Sequence, residues 1–489
     1  MLAALAIVAL AGGLFVRGKT ASKHSRPNIL LIVTEDHGPH LSCYGDTVIQ
    51  TPHLDALAAS GFLFQNAYVT ESVCSPSRSS ILTGLYPHQN GQLGLTTHGF
   101  HLVGDIKNIF SILKKGGYRT GLIGKLHVDP PDSFLVDYWP LKSPNYTKKA
   151  LDRYARYAAR FMTASDTPFF LMVNYPDTHW PFQDVVDGKP AHPVSPDQVV
   201  SFPYIDFDNP TIRQYTASLY NCMMRLDDCI GDLMDRLRSS GKRRNTLVIC
   251  LSDHGDEMAR GKFAIYEAST RVPFLVSWPG TIEGGRTCDA LVSSIDIVPT
   301  ILDVAGMPPL SGLSGKSLIP LLKNPHGNFR EYLYTEKNCD QIGMYFPRRA
   351  VRDKRYKLIY SLLDGRKNEV ALHYTADQNR PVAIAGSPTA SELREAPDSV
   401  KEVYAEWIDP PKIQLYDLAA DPLEFHNLSE DKRYLKIKNR LMGALFSWQR
   451  ETNDPLRFPD KLERLTEEND TMKVSKQMVW HYPQYLYGQ

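Results

Sequence analysis

Five short apolar runs, separated by helical or polar sequence, limit what this chain can fold into more than any other feature. "NILLIVT" occupies 28–34, "YRTGLIGK" ends at Lys125, "PFFLMVNY" at Tyr175, "NTLVICLSD" at Asp253 and "VPFLVSWPG" at Gly280. Each is short, β-branched or aromatic, and bounded by Pro, Gly or charged residues, as expected of strands buried on both faces. Between the first two lies "TPHLDALAASG", a predicted helix capped at Thr51, with Pro52 in its first turn and Gly61 past its end. A longer helical pattern covers roughly 208 to 241 and sets Tyr220, Met224, Leu226, Ile230, Leu233 and Leu237 on or near one face. Strands alternating with helices in this way predict an α/β fold with a large, mostly parallel sheet covered on both sides.

After about residue 335 the texture changes. "RRAVRDKRYKLIYSL" and "KIQLYDLAADP" read as antiparallel strands joined by charged turns. "DKRYLKIKNRLMGALFSWQRE" reads as an amphipathic helix with Leu435, Ile437, Leu441, Leu445 and Trp448 apolar. A chain of 489 residues exceeds one minimal core. The expected division is a catalytic domain over 26–335 and a smaller C-terminal α+β subdomain over 336–489. Residues 1–25 open with "MLAALAIVALAGGLFV", which fits a signal-peptide apolar region or an uncleaved anchor, and either places the polar body outside the cytoplasm. No other stretch is long enough to span a membrane.

With 55 basic and 54 acidic residues the formal charge is +1, so nucleic acid is not an expected partner and any anion specificity must be local. The seven cysteines are odd in number and match neither a zinc site nor a dense disulfide framework. Cys222 and Cys229 lie about two helical turns apart, too far to pair with each other.

Ligands of open α/β sheets bind beyond the carboxyl ends of the strands. Here Glu35 and Asp36 follow the first run, and Lys125 and His127 the second. Asp177 and His179 follow the third, and Asp253 and His254 the fourth. Each has a mundane reading as a turn, cap or surface residue, yet together they converge on one sheet edge. Carboxylates there suit Ca²⁺ or Mg²⁺, two imidazoles can move protons, and Arg78, Lys125 and Lys262 can offset charge on a sulfuryl or phosphoryl group. Cys74 adds a thiol beside a helix start, in "VCSPSRSSILTG".

"CSPSR" matches the C-x-P-S-R signature of type I sulfatases, and the chain resembles that family through "NILLIVTEDHG", "GYRTGLIGKLH", "LSDHGDEM" and "YEASTRVPFLVSWPG". The resemblance implies an alkaline-phosphatase-like sulfatase fold and a formylglycine made from Cys74 by a maturation enzyme. It also implies one Ca²⁺, with Glu35, Asp36, Asp253 and His254 on the metal side together with Cys74. Arg78 would hold the formylglycine hydrate and Lys125 the sulfate. His127 would take a proton as sulfate leaves, and His179 and Lys262 would assist the leaving group. Glu35 stands where the family usually has Asp, and His254 where it usually has Asn. "LYPHQNGQLGL", "THGFH", "YFPRRAVRDKRYKLIYSL" and "SWQRETNDP" most resemble heparan N-sulfatases, implying an exo-acting enzyme on N-sulfated glucosamine. An O-sulfate on another glycosaminoglycan or an algal polysaccharide, a phosphodiester or phosphonate monoester, and glycan binding without turnover stay open. Arg348, Arg349 and Arg352 are expected as surface charge or as contacts to an anionic glycan. The Pro- and Asp-rich stretch 180–210 is expected as a rim or lid.

Overall fold

Strand β1 (Asn28–Thr34) is buried along its whole length, the condition its uninterrupted apolar sequence calls for. It lies in a seven-stranded sheet with β2 (Phe62–Tyr68), β3 (Arg119–Ile123), β4 (Phe169–Val173), β5 (Thr246–Ser252), β6 (Phe274–Ser277) and β7 (Arg286–Ser293). The order is β3-β4-β1-β5-β6-β2-β7. The computed structural model describes residues 26–144, 146–341, 343–378 and 386–488, so the apolar leader expected within 1–25 lies outside the described residues.

All neighbouring pairs are parallel except those of β6, which runs antiparallel to both β5 and β2. The run "VPFLVSWPG" is therefore a strand, but a reversed one. Strands β2 and β7 complete the sheet without having stood out in the sequence. Half of β7, "RTCD", is partly exposed, which breaks the apolar run that marks its neighbours.

Helix α1 (Pro52–Ala59) starts after Thr51, but the Thr51 side chain makes no capping bond. The free amides of His53 and Leu54 are met instead by Asp227 Oδ2 and Oδ1, at 3.1 and 2.7 Å. Asp227 belongs to the long helix Pro210–Ser239, whose own start is capped by Asn209 on the Ile212 amide at 2.7 Å. This helix buries Leu226, Ile230, Leu233 and Leu237 under the sheet with residues of β1, β4 and β5. The opposite face of the sheet buries Ile29, Leu31 and Val33 with Ile81, Leu82, Ile297 and Ile301.

A second sheet of order β11-β10-β9-β8 is antiparallel throughout. It contains β8 (Leu333–Lys337), β9 (Arg348–Arg352), β10 (Tyr356–Ser361) and β11 (Ile413–Asp417). Strand β8 straddles residue 335, where the sequence texture changes. The helix Leu435–Glu451 lies on this sheet with Leu441, Leu445 and Trp448 buried, but Leu435 is half exposed at its first turn.

The three arginines of β9 are neither surface charge nor open to a glycan, since all are buried. Arg349 grips Asp454 through Nε and Nη2 at 2.7 and 2.9 Å. Arg352 pairs with Glu267 at 2.6 Å, and Arg348 lies over the Phe346 ring at 4.7 Å. An arginine is admitted to an interior when its guanidinium finds a carboxylate or a ring face. All seven cysteines are free, Cys222 and Cys229 among them.

Candidate active site at the strand ends

Helix α2 (Cys74–Thr83) begins at the cysteine itself, with Val73 extended at its cap, and every one of its residues is buried. Cys74 is thus the first helical residue, where unpaired amides favour negative charge. Ser77 Oγ donates to the Asp253 carbonyl at 2.5 Å, fixing the helix start against the end of β5. Four adjacent strands deliver the remaining groups, as the carboxyl-end rule requires.

Glu35 and Asp36 follow β1, and Asp36 adopts a left-handed φ of 45. Its amide donates to Asp253 Oδ1 at 3.1 Å. Beyond β3 the chain turns at Gly124 (φ +101), where a Cβ would meet the Asn174 carbonyl oxygen at 2.1 Å. Only glycine allows this approach, and it places Lys125 over the site. Asp177 and His179 follow β4.

Arg78 is fully buried beneath the cluster, donating Nε to Asp253 Oδ2 at 3.0 Å and Nη2 to Glu35 Oε1 at 2.9 Å. Lys125 Nζ takes the other Glu35 oxygen at 2.8 Å, and Lys262 Nζ reaches Asp36 Oδ2 at 2.7 Å. His254 donates Nδ1–H to the Gly255 carbonyl, so its Nε2 faces Cys74 Sγ at 3.3 Å and Asp36 Oδ1 at 3.2 Å. Burial works against a charged His254, but Asp253 and Asp36 outweigh it and push its pKa up to about 10. Burial likewise opposes charge on Asp36, yet Lys262 and His254 hold its carboxyl well below the usual range.

The other two imidazoles respond in the opposite direction. Burial, reinforced by Lys125 and Arg78, keeps His127 well below the ordinary histidine range. Burial also lowers His179 to about 4, against the opposing pull of Asp36 and with the help of Lys262 and Lys125. His179 Nδ1–H donates to the Trp180 carbonyl at 2.7 Å, which fixes the tautomer and leaves Nε2 as the free nitrogen.

Cys74, Lys125, His127, His179 and Lys262 line one cavity of about 650 Å³, while Arg78 supports it from below. His98, Trp139, Lys142, Tyr146, Glu257 and Met344 also line it and were not singled out in the sequence. Glu257 lies in "LSDHGDEM", where it reads as a turn carboxylate. In the structure it is buried 3.4 Å from Lys262, and burial with Asp36 raises its pKa to about 7. None of residues 180–210 lines the cavity. That stretch packs beside it, with Phe202 stacked on His40 at 4.1 Å and Tyr204 donating to Asp256 at 2.7 Å.

Asp36, Cys74, Asp253 and His254 each present a ligand atom within 4.8 Å of the others. Two carboxylates in such a group suit a hard cation, and Asp36 Oδ1 meets the His254 ring at 3.2 Å. Glu35, with both oxygens given to Arg78 and Lys125, stands outside this group and meets Cys74 and His179 in another. Around the cavity the carboxylates of Glu35, Asp36, Asp253 and Glu257 face Arg78, Lys125, Lys262 and His254.

The Sulfatase family profile matches residues 27–307, and the profile for the C-terminal part of N-sulphoglucosamine sulphohydrolase matches 257–395. The chain is 31% identical to human N-sulphoglucosamine sulphohydrolase over 473 residues, covering 88% of this chain and 91% of that one. It is 29% identical to an ulvan-active sulfatase of Formosa agariphila, covering 90% of this chain and 83% of that one. A solved protein in complex with its substrate D-glucosamine-2-N,6-O-disulfate shares the fold with TM-score 0.65 at 22% identity, over 88% of this chain and 99% of that one. The phosphonate monoester hydrolase of Agrobacterium radiobacter shares it with TM-score 0.64 at 20% identity, over 87% and 96%.

Proposed function

Because the chain belongs to the sulfatase family, we propose that it removes sulfate from a terminal sugar through a formylglycine at position 74, with Ca²⁺ beside it. The observation that carries this reading is the position of Cys74. It begins a buried helix, 3.3 Å from His254, and opens onto the cavity lined by Lys125, His127, His179 and Lys262. Formylglycine supplies a hydrated aldehyde oxygen able to attack sulfur, and Ca²⁺ supplies charge that polarises sulfate oxygens. Asp36 and Asp253 would hold the ion, with His254 joining them through Nε2 only on giving up the proton there, and with Glu35 bracing Arg78 and Lys125 around it.

The chain's own groups then divide the work. Lys125 and Lys262 offset the negative charge of the sulfuryl group, and Arg78 fixes the carboxylates behind the nucleophile. His179, its Nδ1–H held by Trp180, turns Nε2 toward the leaving atom. His127, kept neutral at near-neutral pH, can accept a proton when sulfate is released. N-sulfoglucosamine is the first substrate to assay, supported by the human relative and the profile over 257–395. An O-sulfated algal or glycosaminoglycan sugar is the second reading, favoured by the ulvan-active relative. A maturation enzyme and an extracytoplasmic location belong to the same proposal, the latter on the apolar leader.

The test is free sulfate released from a panel of defined N- and O-sulfated mono- and disaccharides, with an aryl phosphate diester included. Release from N-sulfoglucosamine, lost in Cys74→Ala, is the expected result. Release from O-sulfated sugars alone would reject the sulfamate assignment. Turnover of the diester alone, or glycan binding without any turnover by aldehyde-bearing protein, would reject the sulfatase reading.

A further inference from the structure

Asp177 is matched by more positive charge than one carboxylate needs. Arg225 of the long helix donates Nε and Nη2 to its two oxygens, each at 2.8 Å. Lys149 Nζ adds an ion pair to Oδ1, also at 2.8 Å, and all three side chains are buried. A bidentate guanidinium already satisfies a carboxylate, so burying a second cation costs desolvation without a local need.

The backbone at Lys149 carries a second cost. Lys149 and Ala150 adopt φ 52 and 47, two successive non-glycine residues in the left-handed region. Such strain persists where tertiary contacts fix it, and it gathers at functional sites. Lys149 meets Asp177 from this conformation.

What Lys149 and Asp177 join explains why both costs are borne. Lys149 ends the segment that brings Trp139, Lys142, Ser143, Pro144 and Tyr146 to the cavity wall. Asp177 opens the turn that delivers His179. Its carbonyl accepts from the Glu35 amide at 3.3 Å, and Thr178 Oγ1 donates to the carbonyls of Glu35 and Asp36 at 3.1 and 3.0 Å. The two pieces meet where the Tyr146 ring stacks on His179 at 4.2 Å, with Lys125 Nζ 5.6 Å from the same ring.

We propose that Lys149 is a latch: its ion pair with Asp177 holds the wall carrying Trp139 and Tyr146 in the substrate-binding position, while Arg225 holds Asp177 itself. Lys149 does not line the cavity, so it is a positioning residue. The proposal rests on the reading of this cavity as the sulfated-sugar site. Losing Lys149 leaves Asp177 paired with Arg225, so no unpaired buried carboxylate results and the fold survives.

The test compares full-length wild type, Lys149→Met, Lys149→Gln and Lys149→Arg, the glutamine variant standing in if methionine blocks folding. In Lys149→Met, amide exchange should quicken in peptides covering Trp139 and Lys149 while the rest of the chain is unchanged. KM for a turned-over sulfated sugar should rise roughly tenfold or more, with kcat moving less than about threefold, and Lys149→Arg should restore both. Unchanged exchange, or faster exchange with unchanged KM, overturns the latch. Absence of turnover in the wild type would instead reject the sulfatase reading, and exchange alone would still decide whether Lys149 holds the wall.

Discussion

Arg78 decides whether four carboxylates and a thiol can share one buried site. It spans Asp253 with Nε and Glu35 with Nη2, which the single ammonium of a lysine cannot do. Removing one partner of a buried pair typically costs about 3–5 kcal/mol, because the other charge is left uncompensated. Arg78→Ala should therefore lower Tm as well as cut turnover by roughly a hundredfold or more, and Arg78→Lys should recover Tm better than turnover. Thermal melts beside kinetics separate the two. Chelation makes a parallel test of Asp36, Asp253 and His254. Tm and activity should fall together and return on adding Ca²⁺, whereas unaltered melting would exclude a metal at these ligands. The strand-end residues were legible because strand ends follow from apolar runs. Glu35 reaches Arg78 and Lys125 at once, one through each carboxylate oxygen. Tyr146 and the Lys149–Asp177–Arg225 cluster were not legible, since pairing across 48 residues leaves no local signal.

Among the elements, the short helix Glu267–Thr270 joins the two sheets through one carboxylate. Glu267 accepts from Tyr68 Oη of β2 at 2.7 Å, and pairs with Arg352 of β9 at 2.6 Å and Lys357 of β10 at 3.3 Å. Burial opposes its charge, but Arg352 and Lys357 prevail and hold its pKa at about 2 against an ordinary 4.5. A folded pKa below the unfolded one contributes stability that is full above pH 4.5 and drains as pH falls toward 2. Glu267→Gln should accordingly lower Tm at pH 7 and flatten its decline in that acid window. Melts at a series of pH values check this, and a parallel acid decline in both proteins would refute it. Asp454→Asn should cost roughly 3–5 kcal/mol for the same reason that Arg349 is tolerated inside β9, measurable by urea unfolding. Strand existence was easier to read than direction or neighbours. An apolar run marks burial, but the reversal of β6 depends on how residues 253–273 return across the site, and polar residues inside the run (Gln65 and Asn66 in β2, Asp289 in β7) keep those strands from announcing themselves.

At the scale of the whole molecule, the second sheet reaches back to the helix that bears Cys74. The Glu336 amide of β8 donates to the Thr70 carbonyl at 2.8 Å, and the Glu336 carboxylate pairs with His88 just past α2. The family-like segments around "LYPHQNG" and "SWQRETNDP" meet there, with Tyr86 and Trp448 rings 5.0 Å apart. These segments were recognisable in sequence, but their shared task of bracing α2 needed the fold. The brace is tight enough that Cys74, Ser75, Pro76, Ser77 and Arg78 are all buried together. Under the proposed function, an enzyme that oxidised Cys74 by gripping this stretch would have no purchase on the finished protein, and the modification would have a deadline set by folding. Chain that closes before meeting its modifier stays a thiol protein, and later addition of that enzyme should leave it inactive until it is unfolded and allowed to fold again.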